Sequence, residues 1–433
     1  MKNQPKVVNA WCMYDWANSV YSLVITSAIF PVYYQAVAKG ADGSDVISFF
    51  GIEVVNSVLY SYALSFSFLV TAVMLPILSG MADYSGKKKI FLKFFVILGA
   101  TSCAGMFFFE SHNVEWGIIC SVLASIGYSS GLVFYDAFLP EIVDKEHYDK
   151  TSAKGYSYGY IGSVILLVIN IAMIEMYDTL GFADQGVATR FSFLLVGVWW
   201  FGFSQITFYL VPENRVENKV VKNLITNGYL ELRKVWLNLK QSPNIKKYLT
   251  AFFFYNMGVQ TVMYLAATFG SKELKLDSSK LILTVLLIQL VAIVGAYFFA
   301  RISKYKGNIF SLITMNLIWV GICVSAYLVT KEVEFYILAT VVGFVMGGIQ
   351  ALSRATYAKL IPESTIDHAS YFSFYDVMFN LSIVFGTFSY GLIEQLTGSM
   401  RNSTIALGLF FVIGIVFLSS VRISKLANDG SAA

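Results

Sequence analysis

PENRVENKVVKNLITNGYLELRKVWLNLKQSPNIKK, residues Pro212–Lys247, is a polar, basic interruption in a chain of 433 residues that is otherwise filled with apolar runs. It separates about twelve such runs into six before and six after, and each is roughly 20 residues long, the length of helix that crosses the hydrocarbon core of a bilayer. They extend approximately over Trp11–Ala38, Val54–Ser79, Ile90–Phe109, Trp116–Pro140, Ala153–Tyr177, Arg190–Val211, Tyr248–Phe269, Leu281–Ala300, Ile309–Thr330, Phe335–Leu360, Ala369–Glu394 and Ser403–Val421. Backbone amides in hydrocarbon must bond within their own segment, and these runs are too long and evenly apolar for barrel strands, so the expected fold class is an all-α polytopic membrane protein. Residues 1–211 are expected to form one six-helix bundle, 248–433 a second, and 212–247 a cytoplasmic linker. Within the linker, Leu232, Val235, Trp236 and Leu239 recur at helical spacing among Arg233, Lys234 and Lys240, which predicts an amphipathic basic helix lying on the inner leaflet.

Composition agrees with a membrane protein. The chain is 57% hydrophobic and only 13% charged, whereas about a quarter of the residues of a soluble protein are charged. Lys and Arg concentrate in the loops that share a side with the N-terminus, so both termini are expected in the cytoplasm, with the protein in the plasma (inner) membrane. The net charge of +4 follows from that loop bias and does not describe a nucleic-acid surface. No cleavable signal is expected, because Met1–Val8 leads directly into a long first span carrying Asp15. Cys12, Cys103, Cys120 and Cys323 lack disulfide or metal spacing, and His112, His147 and His368 all fall in predicted loops. HExxH and GxxxxGK[ST] sequences are missing, so neither enzyme chemistry nor a metal, ATP or other cofactor is expected.

The two halves echo each other. Gly127–Glu141 (GYSSGLVFYDAFLPE) resembles Gly343–Glu363 (GFVMGGIQALSRATYAKLIPE), with Tyr135, Pro140 and Glu141 matching Tyr357, Pro362 and Glu363 at one constant offset. The following spans match through Tyr156-Ser157-Tyr158 and Phe372-Ser373-Phe374, and the starts of the halves through Tyr14-Asp15 and Tyr255-Asn256. Tandem repeats of this kind place a carrier's binding site at the repeat interface.

Polar residues inside the spans form stripes. Asp15, Asn18, Ser22 and Thr26 follow helical steps up the first helix; the seventh carries Asn256, Gln260 and Tyr264, the tenth Gln350, Arg354 and Tyr357, and the eleventh Ser373, Asp376, Asn380 and Thr387. A charge at the bilayer centre costs about 2.5–3.5 kcal/mol on insertion scales, so these stripes should face one another across an interior polar path. The third, sixth, ninth and twelfth helices are nearly free of charge and are expected to face lipid. Arg354 needs a partner, and Asp376 and Asp15 are the nearest candidates by depth. Tyr14, Tyr135, Tyr264 and Tyr375 are expected along the path.

After the second span comes Ser79-Gly80-Met81-Ala82-Asp83-Tyr84-Ser85-Gly86-Lys87-Lys88-Lys89. Gly86 permits a tight turn, Asp83 can cap a neighbouring helix, and Lys87, Lys88 and Lys89 can pair with Glu141 or Asp144; Asp136, near its helix exit, is expected to pair with the same lysines. This loop resembles the Gly-x-x-x-Asp-x-x-Gly pattern of the major facilitator superfamily, with Ser79 in place of the first Gly. Tyr14-Asp15-Trp16-Ala17-Asn18-Ser19 and Tyr255-Asn256-Met257-Gly258-Val259-Gln260-Thr261 narrow the resemblance to the vacuole-effluxer-like branch, which includes a fungal vacuolar amino-acid exporter; Met257 stands where that branch often has an acid. The resemblance implies the major facilitator fold and alternating-access transport of a small solute, with the loop after the second helix acting as a conformational latch.

The resulting expectation is a monomeric secondary carrier, not an enzyme, with an amino acid or related metabolite as the solute and protons as the coupling ion. Substrate-binding or coupling residues are Asp15, Asn18, Ser22, Asn256, Gln260, Gln350, Arg354, Asp376 and Asn380; latch residues are Asp83, Gly86, Lys87, Lys88, Lys89, Asp136 and Glu141. The alternative is a flippase for lipid or lipid-linked substrates built on the same architecture.

Overall fold

The computed structural model describes residues 2–40, 43–213, 223–276, 278–397 and 399–422. The first half comprises α1 (Pro5–Val20), a π-helical segment (Tyr21–Ala28), α2 (Phe30–Val37), a hairpin of β1 (Val46–Phe49) and β2 (Ile52–Val55), α3 (Asn56–Ser85), α4 (Lys88–Gly105), α5 (Val114–Asp136), the short α6 (Leu139–Ile142), α7 (Tyr148–Glu175) and α8 (Gln185–Leu210). After α9 (Leu224–Gln241) the second half follows as α10 (Pro243–Leu274), α11 (Ser278–Lys306), α12 (Asn308–Leu328), α13 (Glu332–Leu360), α14 (His368–Thr397) and α15 (Met400–Ser419). Residues 214–222 of the expected linker lie outside the described residues.

Among the described residues, ten helices are long and apolar enough to cross a membrane, and the bent pair of Pro5–Ala28 with Phe30–Val37 makes an eleventh. The 32-residue α10 is more polar, carrying Lys246, Lys247, Asn256 and Gln260, and it packs on α14 and α15. Packing repeats between the halves. In the first, α1 lies on α7 and α8, α4 on α5 and α8, and α3 on α5; in the second, α10 lies on α14 and α15, α12 on α13 and α15, and α11 on α13. The halves meet along two seams, α3 against α14 and α7 against α11, which the repeat exchanges.

Two local features depart from the expected spans. The first span is not one straight α-helix: its middle widens to π turns, with the Ile29 N–H donating to Val24 O at 2.8 Å, and it bends by 41° where Pro31 begins α2. Proline lacks the N–H that would continue the ladder, which explains a break there. The connection to α3 is a β-hairpin, pairing Val46 with Val55 and Phe49 with Ile52. It marks the hairpin end of the molecule; the opposite end, where α3 runs out and α9 packs, is the linker end. Gly86 turns the chain there in the left-handed region, φ 64°, where a side chain would be strained.

Candidate functional site

Arg354 leaves α13 towards the first half and is fully enclosed there. Its Nη1 donates to Asp136 Oδ1 at 3.0 Å, its Nη2 to Asp15 Oδ2 at 3.3 Å and to Ser152 O at 3.0 Å, and its Nε to Ser152 Oγ at 2.9 Å. The guanidinium lies 4.3 Å from the ring centre of Tyr156 and 4.8 Å from that of Trp11. Tyr135 OH donates to Asp15 Oδ2 at 2.8 Å, and the Tyr135 ring stacks between Trp11 and Tyr14. Gly155 makes this approach possible, since a Cβ there would sit 2.5 Å from Asp15 Oδ2. A planar cation gripped by two carboxylates and aromatic faces joins the halves with every hydrogen-bonding direction used.

Above this cluster, towards the hairpin end, lies a cavity of about 140 Å³ between the halves. Asp15, Asp136 and Arg354 form its floor, and Ser22, Tyr128, Tyr156, Gln260, Gln350 and Asp376 are on its walls. Its lining comes from the first span and from α3, α5, α7, α10, α11, α13 and α14, while α4, α8, α12 and α15 supply none of it. Tyr160 OH donates to Gln350 Oε1 at 2.6 Å across the halves. A wider cleft of about 600 Å³ lies beyond the floor, at the linker end, among Lys2, Glu146 and Glu363. The smaller cavity is the better candidate site, because it sits midway along the spans and holds buried charge.

Six of the nine expected cavity residues line it: Asp15, Ser22, Gln260, Gln350, Arg354 and Asp376. Asn18, Asn256 and Asn380 do not. Asn18 is buried without a side-chain partner, Asn256 donates to Ser382 Oγ at 2.6 Å, and Asn380 Nδ2 caps back onto Asp376 O at 2.8 Å. The helix is still regular there, and at about 100° per residue Ser19 stays nearer than Asn18 to the face of Asp15; Ser19, Thr26 and Ser27 line the cavity. Of the four expected tyrosines, Tyr264 and Tyr375 line the cavity, while Tyr14 and Tyr135 pack behind its floor.

Two expected pairings are corrected. Asp136 bonds Arg354 and not the lysines of the loop, because the last turn of α5 points into the seam. Asp376 does not pair with Arg354, and its Oδ2 has no hydrogen-bond partner.

At the linker end, Asp83 accepts from Ala369 N at 3.2 Å and Ser370 N at 2.7 Å, capping the first turn of α14 across the halves. Lys88 pairs with Glu141 and stands 3.7 Å from Asp83. Lys89 instead donates to the carbonyls at the end of α8, Lys87 is exposed, and Asp144 bonds Asn3 and pairs with Lys2. Sequence reasoning missed a second cross-half cluster: Asp149, at the start of α7, accepts from Ser303 Oγ, Asn308 Nδ2 and Lys359 Nζ, each at 2.7 Å. The only signal for it was the polar pair Gly307-Asn308 in the loop matching Gly86-Lys87. A more exposed pair, Lys145 with Glu363 at 2.7 Å, also crosses the halves, and the Lys145 ammonium holds the Glu363 carboxyl below its usual range.

A family model described as vacuole effluxer Atg22 like matches residues 3–431. The chain belongs to that family. It is 32% identical to the MFS-type transporter YxiO of Bacillus subtilis, over 99% of both chains, and 23% identical to autophagy-related protein 22-1 of Phaeosphaeria nodorum, over 98% of this chain and 91% of that one. The fold matches that of the human organic anion transporter MFSD10 with a TM-score of 0.75 at 12% identity, covering 96% of this chain and all (100%) of that one. The Atg22-like chain is thus a multi-pass secondary transporter with the major facilitator fold, and its relatives are transporters, not enzymes.

Proposed function

We propose that this chain is an alternating-access carrier for a small solute bearing a protonated amine, an amino acid or a close metabolite, with protons as the coupling ion. The observation that carries the reading is the charge around the cavity: three carboxylates, Asp15, Asp136 and Asp376, face one cation, Arg354. Arg354 bonds two of them, and Asp376 remains in the wall with an unpartnered oxygen. A buried carboxylate without a counter-ion attracts a proton or an ammonium group.

Arg354 supplies the complementary half of the recognition. Its donors are occupied while Asp15 and Asp136 are ionised; a proton on either frees part of the fork for a substrate carboxylate. Protons and substrate thereby compete for one guanidinium, which couples their movements. Releasing the fork also loosens the tie between the halves, so loading and rocking are linked.

Orientation follows from the basic loops. Lys87, Lys88, Lys145, Lys234 and Lys246 lie at the linker end, which supports placing that end in the cytoplasm of a plasma (inner) membrane. The conformation described here, with the ties between cavity and linker end made, is then the one closed towards the cytoplasm. Small residues fill the α7–α11 seam, where Ala153 packs with Ala296, Ala300 and Ala351. A closed lateral seam favours a soluble solute over a lipid headgroup.

The test is purified protein in liposomes, screened with amino acids and related amines by counterflow and under an imposed pH gradient. Gradient-driven accumulation by the native chain, with Asp376→Asn retaining counterflow but losing accumulation, is the expected result. Uptake that ignores the pH gradient would overturn the coupling, and movement of headgroup-labelled lipid with no response to amines would replace the solute by a lipid.

A further inference from the structure

We infer that α9 is a strap that binds an anionic lipid surface along one flank and, held there, keeps the linker end closed. The docked side of this helix is built for close approach. It crosses α3 where Gly80 meets Gly228: a Cβ on Gly80 would lie 2.2 Å from the Gly228 carbonyl oxygen, and one on Gly228 would lie 2.8 Å from the Met81 amide nitrogen. Asn227 Nδ2 donates to Tyr84 OH at 2.9 Å, and Val235 and Leu239 are buried. Farther along, Lys234 Nζ lies 2.9 Å from Asp367 Oδ2, just before α14, and Trp236 stacks on Phe374 of α14. The strap therefore holds α3 of the first half and α14 of the second, beside the point where Asp83 caps α14. Opening this end parts α3 from α14, and α9 must then let go of one of them. The departure of the loop pattern acquires a reason here, since Ser79 followed by Gly80 turns the glycine to α9.

The opposite flank has a different character. At about 100° per residue, Ile225 and Tyr229 fall on one arc with Arg233 and Lys240 beside them, joined by the part of the Trp236 ring that its stacking on Phe374 leaves exposed. Ile225 is 69%, Tyr229 57% and Trp236 47% exposed, and Lys240 Nζ sits 5.2 Å over the Trp236 ring. Glu231, the one acid of α9, is on the half-buried side instead. The span at the end of α3, Val58–Ser85, has 28 residues; at about 1.5 Å each it outreaches a hydrocarbon core of roughly 30 Å, so its last turn, where α9 docks, stands at headgroup depth. Aromatic rings beside two basic groups that pair with no acid among the described residues match, at that depth, an anionic lipid surface.

The experiment uses the full chain in nanodiscs of phosphatidylcholine with or without phosphatidylglycerol. Glu146→Cys and Ser364→Cys carry spin labels on exposed positions of the two halves at the linker end, and the native cysteines are buried and can stay. Anionic lipid should raise the short-distance population at least about twofold. Arg233→Gln with Lys240→Gln should remove the lipid response, and Gly228→Leu should lower the closed population in both lipids. If Gly228→Leu does not give folded protein, Lys234→Ala, which removes the tie to Asp367 together with the pairing to Glu231 within α9, carries the same expectation. Identical native distances in the two lipids, a lipid response that survives loss of Arg233 and Lys240, or an unchanged closed population once the docking side is altered would each overturn the assignment. No substrate enters this readout, so its failure leaves the transport reading untouched.

Discussion

Arg354 is 1% exposed, and its charge is tolerable only because two carboxylates and Ser152 surround it. Removing one member of a buried pair leaves the other uncompensated, at a cost of about 3–5 kcal/mol. Arg354→Ala strands both Asp15 and Asp136 and should lower stability by that amount, seen as a fall in the denaturation midpoint of the purified protein. Asp136→Asn leaves Arg354 with Asp15 and should cost less than half as much; equal losses would mean that the three groups do not act as one cluster. The presence of Asp15 and Arg354 in one interior site was legible in the sequence, because charges within spans must avoid lipid. Asp15 was among the partners named for Arg354, but Asp136, Ser152 and Tyr135 were not. Position along a helix gives depth, but which way a side chain points across the seam depends on how α5 and α13 are rotated, and that is decided by packing.

At the level of elements, helix crossings explain more than the polar stripes do. A Cβ on Gly347 of α13 would stand 1.9 Å from the Ala292 carbonyl oxygen of α11, whereas nothing lies within 4 Å of one on Gly321 of α12. Gly347→Val should therefore force α11 and α13 apart and cost about 1–3 kcal/mol by overpacking. Gly321→Ala should be neutral or stabilising by up to about 1 kcal/mol, through helix propensity alone. Thermal unfolding of the two variants side by side separates these outcomes; a Gly347→Val protein as stable as native would refute the crossing. Of the twelve spans expected from apolar length, eleven have a matching apolar helix among the described residues and the more polar α10 does not, while the π turns of Tyr21–Ala28 were not readable, since Ser22 and Thr26 also fit an ordinary helical stripe. The hairpin Val46–Val55 was missed because its strands are short and largely exposed, leaving no alternation against a core.

For the whole molecule, the seams matter most. Asp83 fastens α3 to α14, and Asp149 fastens α7 to α11, α12 and α13, so each seam has its own tie at the linker end. Asp149→Asn alone leaves the Lys359 ammonium short of a counter-ion, while adding Lys359→Met removes both charges. A double-mutant cycle should return a coupling of about 0.5–3 kcal/mol, with the single variant showing the greater solvent access at the linker end. Additive effects would mean that the pair holds nothing together. This second tie escaped the sequence reading because, although the repeat pairs the two seams, its acid stands on α7 and its donors on α11, α12 and α13, whereas the acid of the first tie stands on α3, the counterpart of α11.

Apart from the more exposed Lys145–Glu363 pair, which runs the other way, the ties also have a direction. Asp15, Asp83, Asp136 and Asp149 all belong to the amino-terminal bundle, and the groups that receive them, Arg354, the α14 amides and Lys359, all belong to the carboxy-terminal one. Two copies of the same bundle, however similar their architecture, would bring acid against acid or cation against cation. Expressed as separate polypeptides, the bundles should assemble with each other and not with themselves: the asymmetry of charge tells two look-alike siblings apart.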